Sequence, residues 1–243
     1  MRKGKVWLIF LMILLFLWGT AIFLHPYING AVVDTTLRQE ARQFMDRITE
    51  PIEEKGEEQP SNALEEPYGE LRQAMEAYNR QIWEEKQAGL CDPWSYQQPS
   101  FSLGDYGLDS EVFGVISIPK LDLDLPLYLG ATYQHMADGA AHLSQTSIPI
   151  GGINTNSVIA GHRGWYGASY FRHITELEPG DEVIVTNLWE TLIYRVADTQ
   201  IILPHEVDQI LIQEGRDLLT LLTCHPYASS GKQRYLVICE RAK

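Results

Sequence analysis

The sequence predicts a mostly β domain, built as a barrel or a sandwich, that follows an apolar helix and an acidic helical connection. Three observations lead to this fold class. Residues 6–24 form an almost unbroken apolar run, residues 25–90 carry few apolar side chains at helical spacing, and about eight short β-rich runs follow from residue 113. Closely spaced short strands separated by Gly, Pro and Asn favour a barrel or sandwich over alternating strands and helices.

The apolar run at residues 6–24 is long enough to cross a bilayer as a helix. Lys and Arg residues precede it and none follows until Arg38, so the positive-inside rule predicts that residues 1–5 are a cytoplasmic tail and the rest is extracellular. A cleaved signal peptide is the alternative, but its apolar region is shorter, about 7–15 residues, and ends at a small-residue cleavage site. We therefore expect an uncleaved single-pass membrane anchor.

Residues 25–90 are predicted to be a helical and linker region. The stretch 50–67 is acidic, contains three prolines and is poor in apolar residues, which is typical of a flexible connection. We expect a helix on each side of it, and these helices either stand off the membrane or pack against the main domain. The second helix has one apolar stripe at 3–4-residue spacing, made of Leu71, Met75, Tyr78 and Ile82.

The main domain is predicted to span residues 113–243, after a short segment at 91–112. Only short helices fit between its strands, around residues 133–139 and 170–177. The predicted strands are 114–118, 125–129, 157–160, 182–186, 191–196, 200–203, 218–223 and 234–238.

Charge and cysteine content exclude several function classes. The net charge of -13 disfavours nucleic-acid binding, which needs basic surface to neutralise phosphate. The three cysteines, Cys91, Cys224 and Cys239, are odd in number and match no zinc spacing. Cys239 lies in an apolar run typical of a buried strand. We expect no disulfide framework, no metal site and no organic cofactor.

Three residues at predicted strand ends have side chains suited to acyl transfer. Cys224 follows a buried strand, His162 follows another, and Arg234 opens the last one. A thiolate can attack a carbonyl, an imidazole can move protons near neutral pH, and a guanidinium can stabilise an oxyanion. Cys224 and His162 also have structural interpretations, as a buried cysteine without chemistry and as a hydrogen-bonded histidine. Spacing alone leaves open whether the three converge.

Residues 114–241 resemble the catalytic domain of sortases, which are cysteine transpeptidases. Residues 223–227, Thr-Cys-His-Pro-Tyr, resemble the family signature Thr-Cys-x-Pro-Tyr around the nucleophile. Residues 160–164, Ala-Gly-His-Arg-Gly, resemble the segment of the catalytic histidine, and Arg234 matches the catalytic arginine. The resemblance implies an eight-stranded sortase-type β-barrel in which Cys224 is the nucleophile, His162 the proton-transfer group and Arg234 the oxyanion stabiliser.

The segment 91–112 resembles the lid of class C sortases, which polymerise pilins. Its Asp92, Pro93 and Trp94 match an Asp-Pro-aromatic motif that lies over the active site in that class. Asp92 is suited to pairing with Arg234, and Trp94 to covering the thiol. The alternative is an ordinary turn, since Asp before Pro commonly starts one. Class C members usually carry a second hydrophobic segment near the C-terminus, and the sequence to Lys243 contains none.

Three further residues lie near the predicted catalytic or lid residues in the sequence. His225 stands where pilin sortases often have Thr, so it is an alternative base or a modulator of the thiol, although we expect His162 to be the base. Arg163 is expected to be structural. The role of Cys91 is open, and a regulatory disulfide with Cys224 is one hypothesis.

The resemblance implies cleavage of an LPXTG-like sorting signal at its Thr, through a Cys224 thioester that an amine resolves. The acceptor is a pilin lysine in the pilus-assembling class, or a peptidoglycan precursor amine in sortases that anchor proteins to the Gram-positive cell wall. Expected partners are therefore LPXTG-bearing secreted or pilin proteins and the membrane. A non-catalytic, pilin-binding scaffold is the alternative from another class. Residues 197–215 are expected to form one wall of the substrate groove.

Overall fold

The computed structural model describes residues 2–49, 67–90, 98–99, 101–165, 167–229 and 231–242, with side chains from residue 6. Cys91 and the predicted lid residues Asp92, Pro93 and Trp94 lie outside the described residues. The helices are α1 (Arg2–Thr49), α2 (Gly69–Glu84) and α3 (Tyr133–Asp138). The strands are β1 (Val112–Ile118), β2 (Leu123–Leu129), β3 (Ala140–His142), β4 (Thr155–Ala160), β5 (Glu182–Asn187), β6 (Thr191–Ile202), β7 (Asp217–His225) and β8 (Gln233–Arg241).

The strands close into a barrel in the order β1-β2-β3-β4-β7-β8-β6-β5. The β2–β3 and β4–β7 pairs are parallel, and the other six are antiparallel. Closure removes exposed sheet edges. Alternate side chains of β6 point inward, so that Leu192, Tyr194 and Val196 are buried in the core. The predicted mostly β fold with a closed barrel is confirmed.

Two strands differ from those predicted. The runs 191–196 and 200–203 form one strand, β6, because the pairing with β8 continues through a register shift between Val196 and Asp198. A bulge of this kind lets a strand continue through polar residues that interrupt its apolar pattern. The strand β3 was not predicted, since three residues are too short to carry a periodic signal.

Helix α1 combines an exposed apolar segment with a segment that packs on the barrel. Among the described residues it is the one helix long and apolar enough to cross a membrane. Farther along, Leu37, Ala41 and Phe44 are buried, and their spacing places them on one face of the helix. This face packs against β1 and β2, so the second half of α1 is part of the folded domain.

Helix α2 packs on the barrel along the predicted apolar stripe. Leu71, Met75 and Ile82 are buried, and Tyr78 is partly buried against the core. The buried Asn79 fixes the helix further. Its amide donates to the Ile148 carbonyl at 3.1 Å and accepts from the Ile148 N–H at 2.7 Å.

Candidate active site

The predicted nucleophile and the predicted arginine face each other across two neighbouring strands. Cys224 lies near the end of β7, and the antiparallel register places it directly opposite Arg234 near the start of β8. Side chains of directly opposed residues project from the same face of a sheet. Cys224 is half-buried and Arg234 is buried, so the strand pair places a partly accessible thiol beside a guanidinium.

Gly231 leaves the space in which these two groups meet. A Cβ placed on this glycine would lie 2.8 Å from Nη1 of Arg234 and 3.4 Å from Sγ of Cys224. Arg234 Nη1 also donates to the Gly231 carbonyl, and it donates to the Gln233 carbonyl at 3.0 Å. The loop before β8 therefore orients the guanidinium and leaves the gap between it and the thiol open.

The predicted histidine lies at the same end of the barrel as Cys224 and Arg234, on the other side of β7. The parallel β4–β7 pairing runs to Ala160 opposite Leu222. Two bonds continue it, from the Gly161 N–H to the Leu222 carbonyl at 3.1 Å and from the Thr223 hydroxyl to the Gly161 carbonyl at 2.7 Å. The next residues along the two strands are His162 and Cys224. Adjacent strands lie about 4.8 Å apart, so the fold places His162 and Cys224 at the same end of neighbouring strands.

Two aromatic side chains contact the ring of His162. Its ring stacks on Trp165, with centroids 4.4 Å apart and planes at 10°, and it meets the edge of Tyr170 at 5.9 Å. The Phe171 N–H donates to the His162 carbonyl at 2.9 Å. Burial lowers the pKa of His162 below its ordinary value, because desolvation disfavours the charged imidazolium. The ring is therefore held mostly neutral at pH 7.

Arg163 links the histidine segment to the cysteine segment, a contact that sequence reasoning missed. Its Nη1 donates to the Cys224 carbonyl at 3.3 Å and to Nδ1 of His225 at 2.7 Å, and its Nη2 donates to the Thr175 hydroxyl at 3.4 Å. A guanidinium can only donate. The Nδ1 of His225 therefore accepts, and the neutral ring carries its proton on Nε2.

Burial and the adjacent Arg163 cation both lower the pKa of His225, burial having the larger effect. His225 is therefore neutral at pH 7, and the Arg163 bond occupies its one acceptor nitrogen. The fold uses His225 to align the backbone beside the nucleophile. The adjacency of Arg163 to His162 in the sequence was the one available signal for this link.

The arrangement has the groups that acyl transfer needs and presents them on rigid strand ends. A thiol, an imidazole and a guanidinium from β7, the β4 end and β8 share one rim of the barrel. Among the residues that the structure describes, no group of three or more His, Cys, Asp or Glu side chains could hold a metal ion. Cys224 and Cys239 are free thiols, and Cys239 is buried in the core.

Comparison with known proteins matches this geometry to one family. The family model described as Sortase domain matches residues 116–242. A crystal structure of sortase C-1 from Streptococcus pneumoniae is 31% identical with a TM-score of 0.69, covering 84% of this chain and 98% of that one. Sortase C-1 from Actinomyces oris is 35% identical with a TM-score of 0.65, covering 74% of this chain and 99% of that one.

Among curated proteins, Sortase D of Bacillus subtilis is 28% identical over 130 residues. This match covers 53% of this chain and 63% of the relative, so the chain spans less than two thirds of that protein's length. The predicted family resemblance is confirmed by the domain match, by the solved structures and by the eight-stranded closed barrel. The chain therefore belongs to the sortase family of cysteine transpeptidases.

Proposed function

We propose that this chain is a membrane-anchored transpeptidase that cleaves an LPXTG-like sorting signal and transfers it to an amine, with a pilin lysine as the acceptor. The observation that carries the proposal is the direct pairing of Cys224 with Arg234 across β7 and β8, with His162 two residues beyond the end of β4, the strand next to β7. The three residues lie at one end of adjacent strands, which supports a common site for acyl transfer.

In the proposed reaction, the neutral His162 takes the proton of the Cys224 thiol, and the resulting thiolate attacks the carbonyl carbon of the Thr residue in the signal. The new C–S bond forms as the peptide bond to the next residue breaks, and His162 supplies the proton that the leaving amine takes. The acceptor amine then attacks the thioester, the C–S bond breaks, and the amine's proton passes to His162. Arg234 donates hydrogen bonds to the oxyanion in both steps.

The hydrogen-bond pattern favours His162 over His225 as the proton-transfer group. The acceptor nitrogen of His225 is occupied by Arg163 at 2.7 Å, so taking a proton there would break a bond and place two cations side by side. The ring of His162 is held against Trp165 at the rim instead. We therefore assign His225 to alignment of the β7 end and not to proton transfer.

The pilin class is proposed on two grounds. The two solved structures described above are sortase C proteins, the class in which the resemblance places pilin polymerisation. The residues on either side of the predicted lid motif are also fixed to the barrel. Leu90 belongs to the same buried cluster as Leu222 and Leu236, each two residues from a catalytic candidate. The Gln98 carbonyl accepts from the Ser144 hydroxyl at 2.6 Å. We propose that Asp92, Pro93 and Trp94 cover the cleft from this position.

The proposed location is the outer face of the cell membrane. The support is helix α1, whose apolar segment is exposed and whose continuation packs on the catalytic barrel. A rigid connection of this kind keeps the enzyme in the same thin layer as membrane-tethered substrates, which raises their effective concentration.

The test is cleavage of a fluorogenic LPXTG peptide by the full chain in detergent micelles. We expect Cys224→Ala to abolish cleavage, and the double variant Asp92→Ala/Trp94→Ala to cleave faster than the wild type because the cleft is uncovered. Cys239→Ala is the matched control, since that thiol is buried in the core and should leave the rate close to wild type.

The outcomes separate the alternatives. A wild type that is fully active, with no effect of the lid substitutions, would favour a sortase that anchors proteins to the cell wall. A chain that binds pilin but never forms a Cys224 thioester, as followed by mass spectrometry, would be a scaffold and would refute the enzyme assignment.

A further inference from the structure

Helix α1 contacts the loop that carries His162. This loop follows β4 and is here called the histidine loop, which stands for the described residues 162–165 and 167–171. The backbone of α1 at Pro26 and Gly30 meets Gly167 so closely that a side chain on either glycine would overlap the backbone of the other segment. Contact at this distance needs glycine on both sides, so the helix and the loop are fitted to each other.

One helical turn beyond Gly30, Asp34 binds the same loop. Its Oδ1 accepts from the Ser169 N–H at 3.0 Å, and its Oδ2 accepts from the Ser169 hydroxyl at 3.5 Å. Residues four apart lie on one helix face, so Gly30 and Asp34 together form a single contact with the histidine loop. The two partners are 135 residues apart in the sequence, and the contact forms only in the folded chain.

The loop transmits this contact to the imidazole. Trp165 and Ala168 exchange two backbone hydrogen bonds at 3.2 and 2.9 Å, which close the turn that includes Gly167. On one side of this turn Trp165 stacks on His162, and on the other Tyr170 meets the His162 ring edge-on. Trp165 and Tyr170, the two aromatic residues that contact the imidazole, therefore flank the turn that is held against α1.

The charged and titratable groups near Asp34 make their hydrogen bonds to other residues. Arg163 is turned toward the Cys224 carbonyl and His225. Burial, together with Asp138 and Asp34, raises the pKa of Tyr170 to about 12, so this phenol stays neutral. Its hydroxyl donates to the Ala137 carbonyl at 2.5 Å. Arg38, four residues farther along α1, interacts electrostatically with Asp34, but its guanidinium donates its hydrogen bond to Asp122. The hydrogen bonds of Asp34 go to Ser169 of the loop.

We propose that Asp34 is a positioning residue for His162. The membrane-proximal turn of α1 then contributes to the orientation of the catalytic imidazole. This inference rests on the proposed function and adds a residue to it. Gly30 lies six residues beyond the apolar run that ends at Leu24, which is about 9 Å along a helix. The contact therefore holds the catalytic rim next to the membrane surface, where tethered substrates are found.

The first test follows the titration of His162 by NMR in the full chain, in detergent micelles and with ¹³C-labelled histidine. Burial lowers the pKa of His162 in the wild type. In Asp34→Ala the loop loses its hydrogen bonds to α1 and the His162 ring becomes more exposed to solvent. We therefore expect the pKa of His162 to rise toward its ordinary value. Asp34→Asn keeps an oxygen acceptor for the Ser169 N–H and should restore most of the wild-type value. Asp46→Ala, an exposed residue of the same helix, is the matched control.

The second test uses peptide cleavage by the same variants. Displacing a catalytic group by about 1 Å costs up to about 100-fold in rate, so we expect Asp34→Ala to lower kcat by about 10- to 100-fold with KM nearly unchanged. The optimum of kcat/KM should move in the same direction as the His162 titration. Gly30→Ala disturbs the same contact by overlap with Gly167 and should act likewise, which keeps the test available if Asp34→Ala does not fold.

Three outcomes would overturn the positioning role. The first is that His162 titrates as in the wild type in both Asp34→Ala and Gly30→Ala. The second is that Asp34→Ala has a lower melting temperature but an unchanged kcat and pH profile. The third is that Asp34→Asn is as impaired as Asp34→Ala. The NMR measurement does not depend on turnover. A wild type that cleaves no peptide would therefore count against the proposed function and leave the positioning result to stand or fall on the titration.

Discussion

The substitution Gly231→Ala tests whether the space between Cys224 and Arg234 is the reaction site. The glycine has φ +74° and lies between the thiol and the guanidinium. A methyl group there would sit 2.8 Å from Arg234 Nη1, inside van der Waals contact, and 3.4 Å from Cys224 Sγ. The flexible guanidinium can move away at little cost in stability, but it then leaves the position from which it would stabilise the oxyanion.

The expected magnitudes differ for stability and for activity. A left-handed backbone conformation costs an alanine about 1–2 kcal/mol, which lowers the melting temperature by about 2–8 °C in a chain of this size. Displacing a catalytic group is expected to lower cleavage of the LPXTG peptide by about 100-fold. The assay compares thermal unfolding and peptide cleavage for the full chain in detergent.

Gly215→Ala is the matched control for backbone strain. Its φ is +75° and a Cβ would meet no atom within 4 Å. We expect the same loss of stability as in Gly231→Ala with cleavage close to wild type. If Gly231→Ala cleaves within about threefold of wild type, or Gly215→Ala loses as much activity, then the space between Cys224 and Arg234 is not the reaction site and the reasoning from geometry is refuted.

Two further predictions concern buried polar groups away from the catalytic rim. Asn79→Ala removes both hydrogen bonds to Ile148 and should lower the free energy of unfolding by about 2–4 kcal/mol, as measured by chemical denaturation. The exposed Gln73→Ala on the same helix is the control. An equal, small effect in both variants would contradict a role of Asn79 in docking α2. His142 is buried, and burial lowers its pKa to about 4 from 6.5, so the unfolded chain binds more protons and stability should fall as pH drops from about 6.5 toward 4. The loss should be on the order of 3 kcal/mol, and a melting curve whose pH dependence is unchanged in His142→Gln would contradict it.

Local patterns in the sequence were enough to predict the fold class, because each relevant feature is short in range. Alternating or continuous apolar runs mark strands, and the apolar segment at residues 6–24 marks a long exposed helix. The two failures in the strand prediction also have local causes. The bulge after Val196 hides the continuity of β6, and β3 has too few residues to show a period.

The chemistry-bearing side chains could be named from the sequence, but their convergence could not be derived from it. Cys224, His162 and Arg234 were selected by residue type, strand-end position and family resemblance. Their meeting depends on the β4–β7–β8 order, in which a strand pairs with one more than 50 residues away in parallel register. Pairing between distant strands has no signature in the local pattern of either one.

The amino-acid sequence is therefore sufficient to name the parts of this protein: the apolar helix, the β-rich domain and the side chains available for acyl transfer. How those parts contact one another follows from the folded structure. It placed Arg163 against the nucleophile's backbone and Asp34 against the histidine loop. Both contacts depend on side-chain hydrogen bonds across long sequence separations. Such bonds are set by three-dimensional packing, to which the order of residues along the chain is only an indirect guide.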